Sequence, residues 1–94
     1  MTDELVSAHL LISGMVQGVG FRWFVMRKAN EYNIKGYVRN LYTDEVEVEV
    51  EGNKGLIQEF IKDLRIGPRS AQVTDVKIQW KDYQGKYENF DVRF

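Results

Sequence analysis

The sequence predicts an α+β fold of the ferredoxin-like, split βαβ kind: βαββαβ with a fifth strand at the C-terminus and two helices on one face of an antiparallel sheet. Three observations lead there. Short apolar runs alternate with two amphipathic stretches, and glycines with one Gly-Pro pair punctuate the transitions. The clearest alternation, Val46, Val48 and Val50 against Glu45, Glu47, Glu49 and Glu51, marks a strand with one buried face.

Ala8 to Ser13 is short, apolar and closed by Gly14, which fits a mostly buried strand rather than a helix. Beyond the loop that follows, Phe21, Phe24, Val25, Lys28, Ala29 and Tyr32 recur at three- and four-residue steps. A helix over about 22–32 therefore lays its apolar stripe on the sheet. Gly36 to Glu51 supplies two strands around a turn near Tyr42-Thr43-Asp44. The four glutamates read as a solvated acidic face, because like charges side by side repel without a cation. Gly52-Asn53 leads into a second helix carrying Leu56, Ile57, Phe60, Ile61 and Leu64, which Gly67-Pro68 cannot continue. Val76, Ile78 and Trp80 form a fourth strand, and Val73 falls out of phase with them, which predicts a bulge near Thr74. Lys81 to Lys86 reads as a hairpin-like connection to a fifth strand carrying Phe90, Val92 and Phe94. The sheet face opposite the helices is expected to meet water.

Size and composition narrow the functions available. Ninety-four residues that are 44% hydrophobic suit a single domain, 1–94, with room for one core. A formal charge of −1, from 13 Lys+Arg against 14 Asp+Glu, gives no global field to gather nucleic acid or an anionic membrane. Any anion site must be local. The absence of cysteine removes disulfides, thiolate chemistry and cysteine-ligated zinc. Asp3 and Glu4 stand where a basic leader would begin, and Leu10-Leu11-Ile12 is too short for a signal core or a membrane span. The expectation is a cytoplasmic monomer with no membrane partner. RNA readers built on a split βαβ sheet need exposed aromatics among basic residues, so the acidic face also argues against a nucleic-acid partner.

The most informative stretch is Gly14-Met15-Val16-Gln17-Gly18-Val19-Gly20-Phe21-Arg22, which joins the first strand to the first helix through three glycines and ends on an arginine. Glycines let a backbone turn tightly and approach a ligand, while the first N–H groups of a helix lack intrahelical partners and favour an anion. The fork of Arg22 suits gripping two oxygens of the same anion. The stretch lacks the Lys-Ser/Thr ending of a nucleotide-triphosphate loop, and Trp23 stands where a dinucleotide fingerprint needs its third glycine. The residues alone leave two readings: an anion cradle, or a tight turn with Arg22 in solvent. Asn40, near the end of the second strand in Gly36-Tyr37-Val38-Arg39-Asn40-Leu41, is open in the same way. Its amide suits orienting a water beside a phosphoryl group, and it equally suits the entry to a turn.

Taken together, these residues resemble the acylphosphatases, small enzymes that hydrolyse carboxyl-phosphate mixed anhydrides such as acetyl, carbamoyl and aminoacyl phosphates. Gly14 to Arg22 resembles that family's first signature, and Gly36 to Asn40 the start of its second. The likeness continues in Val46, Gly52, Gly67-Pro68 and the pattern Phe90 to Phe94. The resemblance implies that the backbone N–H groups of Met15, Val16, Gln17, Gly18, Val19 and Gly20 surround the substrate phosphate. Arg22 would hold its oxygens and Asn40 would orient the attacking water, with no metal or other cofactor. One departure is Asp44, where the family usually carries glycine; Asp tolerates left-handed turn geometry, so an altered hairpin is expected rather than a lost site.

A guanidinium keeps its proton near neutrality and a carboxamide does not ionise, so no protein general base is evident. His9 reads as structural or exposed, Trp23 and Tyr37 as core or as walls of the acyl side, and Arg39 as solvent-facing. Asp44 and Glu45 lack the company a metal would need. The alternative function is a catalytically silent acyl- or carbamoyl-phosphate binding module of the same fold, which usually serves additional domains that this chain lacks.

Overall fold

Each apolar run becomes an element of the computed structural model, which describes residues 4–94; Asp3 lies outside them. The order is β1 (Leu5–Met15), α1 (Phe21–Glu31), β2 (Lys35–Asn40), β3 (Val46–Asn53), α2 (Lys54–Ile66), β4 (Gln72–Asp82) and β5 (Phe90–Arg93). The strands form one sheet in the order β4-β1-β3-β2-β5, and both helices cover the same face.

Alternation decides which side chains enter the core. Ala8, Leu10 and Ile12 of β1 and Val46, Val48 and Val50 of β3 are fully buried. They pack with Phe21 and Val25 of α1 and with Ile57, Phe60 and Leu64 of α2 in one cluster. Each such side chain contributes roughly 1.5–3 kcal/mol by leaving water, so this layer fixes where the loops at its edge must lie. The bulge falls where the phase change placed it: Ser13 pairs with Asp75 and Gly14 with Val73, leaving Thr74 as the extra residue. Gly14 sits at φ +127°, and a Cβ there would lie 2.0 Å from the Gln72 carbonyl oxygen, so only glycine lets β1 leave the sheet at this point.

Three expectations are corrected. The sheet is mixed rather than antiparallel, because β5 pairs in parallel with β2 while every other pairing is antiparallel. The connection after β4 is not a hairpin. β4 continues to Asp82 and lies at the edge opposite β5, so residues 83–89 carry the chain from one edge of the sheet to the other.

The third correction concerns the glutamates, which are not a solvated face. Glu49 and Glu51 are only 4% and 2% exposed. Glu49 is held by Lys81, while Glu47 meets His9 at 2.8 Å, Tyr37 at 3.1 Å and Arg39 at 2.5 Å. Glu51 accepts the Ser7 hydroxyl at 2.9 Å and the backbone N–H groups of Gln84, Gly85, Lys86 and Tyr87 at 3.1, 3.0, 2.9 and 3.2 Å. The crossing connection thus lies over the end of β3 and removes its carboxylates from water. Burial alone would raise the Glu51 carboxyl, but hydrogen bonds from Ser7, Gln84, Lys86 and Tyr87 outweigh it and hold the group below its ordinary 4.5.

Candidate active site

The chain leaves β1 at the bulge, runs through residues 16–20 and turns into α1 at Gly20. Gly18 and Gly20 adopt φ +73° and +75°, and nothing lies within 4 Å of where their Cβ atoms would be, so this backbone is open to a ligand. Gly20 caps α1 with no side-chain hydrogen bond, and no acidic residue occupies the first turn. α2 differs: the Asn53 side chain accepts the Leu56 N–H at 3.1 Å. The start of α1 therefore keeps its donors and its positive dipole end for something else.

These residues border a cavity of about 140 Å³ lined by Val16, Gly18, Gly20, Phe21, Arg22, Trp23 and Asn40. Arg22 reaches it from the first turn of α1. Its Nη1 donates to the Arg93 carbonyl at 3.0 Å, and its guanidinium lies 4.5 Å from the centroid of the Phe94 ring. The parallel docking of β5 beside α1 is what braces this side chain. Among the described residues the Arg22 side chain, with five N–H donors, forms this one hydrogen bond, which leaves the rest of the fork able to bind an anion. Asn40 arrives from the end of β2, where pairing with Val46 fixes its backbone. Its Oδ1 is buried and has no hydrogen-bond partner among the described residues. A buried acceptor left without a partner costs about 1–3 kcal/mol, and an active site is where such a cost finds an explanation.

The structure thus brings Arg22, Asn40, Val16, Gly18 and Gly20 to one cavity. The other loop residues do different things. Met15 is the last residue of β1 and is exposed, and Val19 packs partly against the core while its carbonyl accepts the Ser70 hydroxyl at 2.9 Å. Gln17 points to the hairpin between β2 and β3, its Nε2 donating to the carbonyls of Leu41 at 2.8 Å and Glu45 at 2.9 Å. Trp23 lines the cavity; Tyr37 does not, since it lies on the opposite sheet face against Glu47 and Tyr87. His9 is bound to Glu47, away from the cavity. Asp44 adopts φ +71°, and the turn closes with Leu41 N–H donating to Glu45 O at 2.9 Å and Asp44 N–H to Leu41 O at 3.2 Å. The left-handed geometry expected of Asp44 is present.

Comparison with known proteins agrees with this geometry. The family model named Acylphosphatase matches residues 8–92. The chain belongs to the acylphosphatase family. An acylphosphatase of Chlorobaculum tepidum is 46% identical over 79 residues, which is 84% of each chain. The crystal structure of acylphosphatase from Bacillus subtilis superimposes with a TM-score of 0.91 at 28% identity, over 95% of this chain and 99% of that one. T. kodakarensis HypF is also similar, at 37% identity and a TM-score of 0.82, but the match covers 95% of this chain and 12% of that much longer one. High coverage of family members of its own length makes this chain an acylphosphatase-family enzyme, and it shares the fold of two helices on a five-stranded mixed sheet with them.

Two side-chain contacts at this site were not anticipated from the sequence, where Gln17 was expected to act through its backbone N–H and Phe94 was given no role at the site. Gln17 works through its side chain on backbone carbonyls, and Phe94 through a ring under the guanidinium. The signal for Phe94 was available in the strand alternation that carried Phe90 and Val92. Nothing in the spacing marked Gln17.

Proposed function

We propose that this chain, acting as one domain over residues 1–94, hydrolyses acyl phosphates to a carboxylate and inorganic phosphate without a metal. The phosphoryl group sits at the start of α1, its oxygens held by loop N–H groups and by Arg22. Asn40 Oδ1 accepts a hydrogen bond from the attacking water and aims its oxygen at phosphorus. The new P–O bond forms as the bond to the acyl oxygen breaks, the carboxylate leaves, and the water proton passes to a phosphate oxygen. Such transfers depend on position and charge stabilisation rather than on covalent chemistry by the protein.

The observation that carries this reading is that Asn40, whose buried Oδ1 has no hydrogen-bond partner among the described residues, lines the same small cavity as Arg22 and an uncapped helix start. The chemistry proposed needs no protein acid or base. The substrate is a small molecule, and the proposal includes a monomer in the cytoplasm that binds neither nucleic acid nor membrane. No helix among the described residues is long and apolar enough to cross a membrane.

The test is hydrolysis of benzoyl phosphate with EDTA present. Turnover that persists in EDTA and shows no steep break between about pH 5 and 8 is expected. Absence of turnover by folded protein would move the reading to a silent acyl- or carbamoyl-phosphate binding module, the arrangement that the similarity to a small part of HypF raises.

A further inference from the structure

The Gln17 side chain ties the phosphate loop to the hairpin that carries Asn40. Its Nε2 donates to the Leu41 carbonyl at 2.8 Å and to the Glu45 carbonyl at 2.9 Å, so both hydrogens of the amide are used. Those two carbonyls also close the hairpin: Glu45 O accepts the Leu41 N–H at 2.9 Å, and Leu41 O accepts the Asp44 N–H at 3.2 Å. Leu41 follows Asn40 directly in the chain. One amide therefore grips both ends of the turn beside the residue that orients the water.

The two partners need this tie unequally. On either side of Gln17 the loop has anchors of its own: Val16 is buried in the core, and the Val19 carbonyl accepts the Ser70 hydroxyl at 2.9 Å. The hairpin is held less. Its last strand pairing is Asn40 with Val46, and Tyr42, Thr43 and Asp44 beyond it are exposed. The Thr43 hydroxyl bonds within the turn, to Glu45 Oε1 at 2.9 Å, and the Ser13 hydroxyl meets Glu45 Oε2 at 3.3 Å, which fixes a carboxylate rather than the backbone. The Gln17 amide works in one orientation only, because turning its oxygen toward the two carbonyls would set three acceptors together. Position matters here, since a shift of about 1 Å between reacting groups can cost about a hundredfold in rate.

We infer that Gln17 is a positioning residue. Through the Leu41 and Glu45 carbonyls its side chain sets the distance between the phosphoryl group in the loop and the water held by Asn40, while its part in phosphate binding is confined to its backbone. The inference rests on the hydrolytic reading above and adds to it a side chain that acts through Asn40 without touching the reacting atoms.

The experiment is a double-mutant cycle on benzoyl phosphate hydrolysis with Gln17→Met, Asn40→Ala and the pair, with inhibition by inorganic phosphate measured in each. Methionine fills similar space and removes both donors, and circular dichroism checks that the variants fold. In Gln17→Met, kcat should fall about ten- to a hundredfold while phosphate inhibition stays within about twofold of the parent. Once Asn40 is alanine, the same substitution should cost less than about twofold further. An unchanged kcat, an equal loss in both backgrounds, or loss of phosphate inhibition would each overturn the positioning role and leave the hydrolytic function standing. Where Gln17→Met fails to fold, Gln17→Asn, whose amide is one methylene too short to reach both carbonyls, is read against the same outcomes. If the parent hydrolyses nothing, the hydrolytic reading fails, and the tie is read instead from backbone amide resonances during titration with inorganic phosphate. Shifts at Leu41 and Asp44 that vanish in Gln17→Met while those at Gly18 and Gly20 persist support it. Hairpin shifts that are absent from the parent, or that survive in the variant, overturn it.

Discussion

Asp44 holds the left-handed backbone conformation at φ +71° that glycine adopts most easily, at the tip of the hairpin that delivers Asn40. Its short polar side chain makes that geometry tolerable, which is why the turn holds without a glycine. An Asp44→Ala variant should be less stable than Asp44→Gly by about 1 kcal/mol, measured by urea unfolding, because alanine has neither the freedom of glycine nor a polar group to bond locally. Equal stabilities would mean that the turn relaxes out of the left-handed region. Asp44 was legible as a departure, since one residue type against one turn geometry is a local question. Gln17 was not: its amide bonds carbonyls 24 and 28 residues away, and no period or propensity encodes a tie of that range.

The strand β3 shows what alternation conveys and what it omits. Val46, Val48 and Val50 were legible as the buried row, because period-two hydrophobicity has one physical cause. Alternation says nothing about what covers the other row, and here residues 84–87 donate their N–H groups to Glu51. The Glu51 pKa in the folded protein lies below its ordinary 4.5, as does that of Glu47, where burial is outweighed by hydrogen bonds from His9, Arg39 and Tyr37. A carboxyl depressed in this way contributes stability that is present above its unfolded-state value and lost as pH falls through the folded one. Unfolding free energy should therefore decline below about pH 4.5. Glu51→Gln should cost about 1–3 kcal/mol near neutrality and make the acid decline shallower, because a carboxamide has no charge to lose. An acid limb unchanged by that substitution would show that Glu51 does not carry it.

Across the whole molecule, the order of elements, the helical stripes and the bulge at Thr74 follow from local chemistry and were legible. The edge at which β5 docks was not, because a short alternating strand carries no mark of its partner or direction. That choice matters to the site: parallel docking on β2 places the Arg93 carbonyl and the Phe94 ring against Arg22. The central claim is a division of labour, in which Arg22 holds the phosphoryl group and Asn40 orients the water. The direct measurement is inhibition by inorganic phosphate alongside benzoyl phosphate turnover in Arg22→Ala and Asn40→Ala. Each variant should lose about a hundredfold or more in turnover, the cost of about 3–4 kcal/mol of transition-state stabilisation. Arg22→Ala should also lose phosphate inhibition, whereas Asn40→Ala should retain it; equal loss of phosphate binding in the two would contradict these roles.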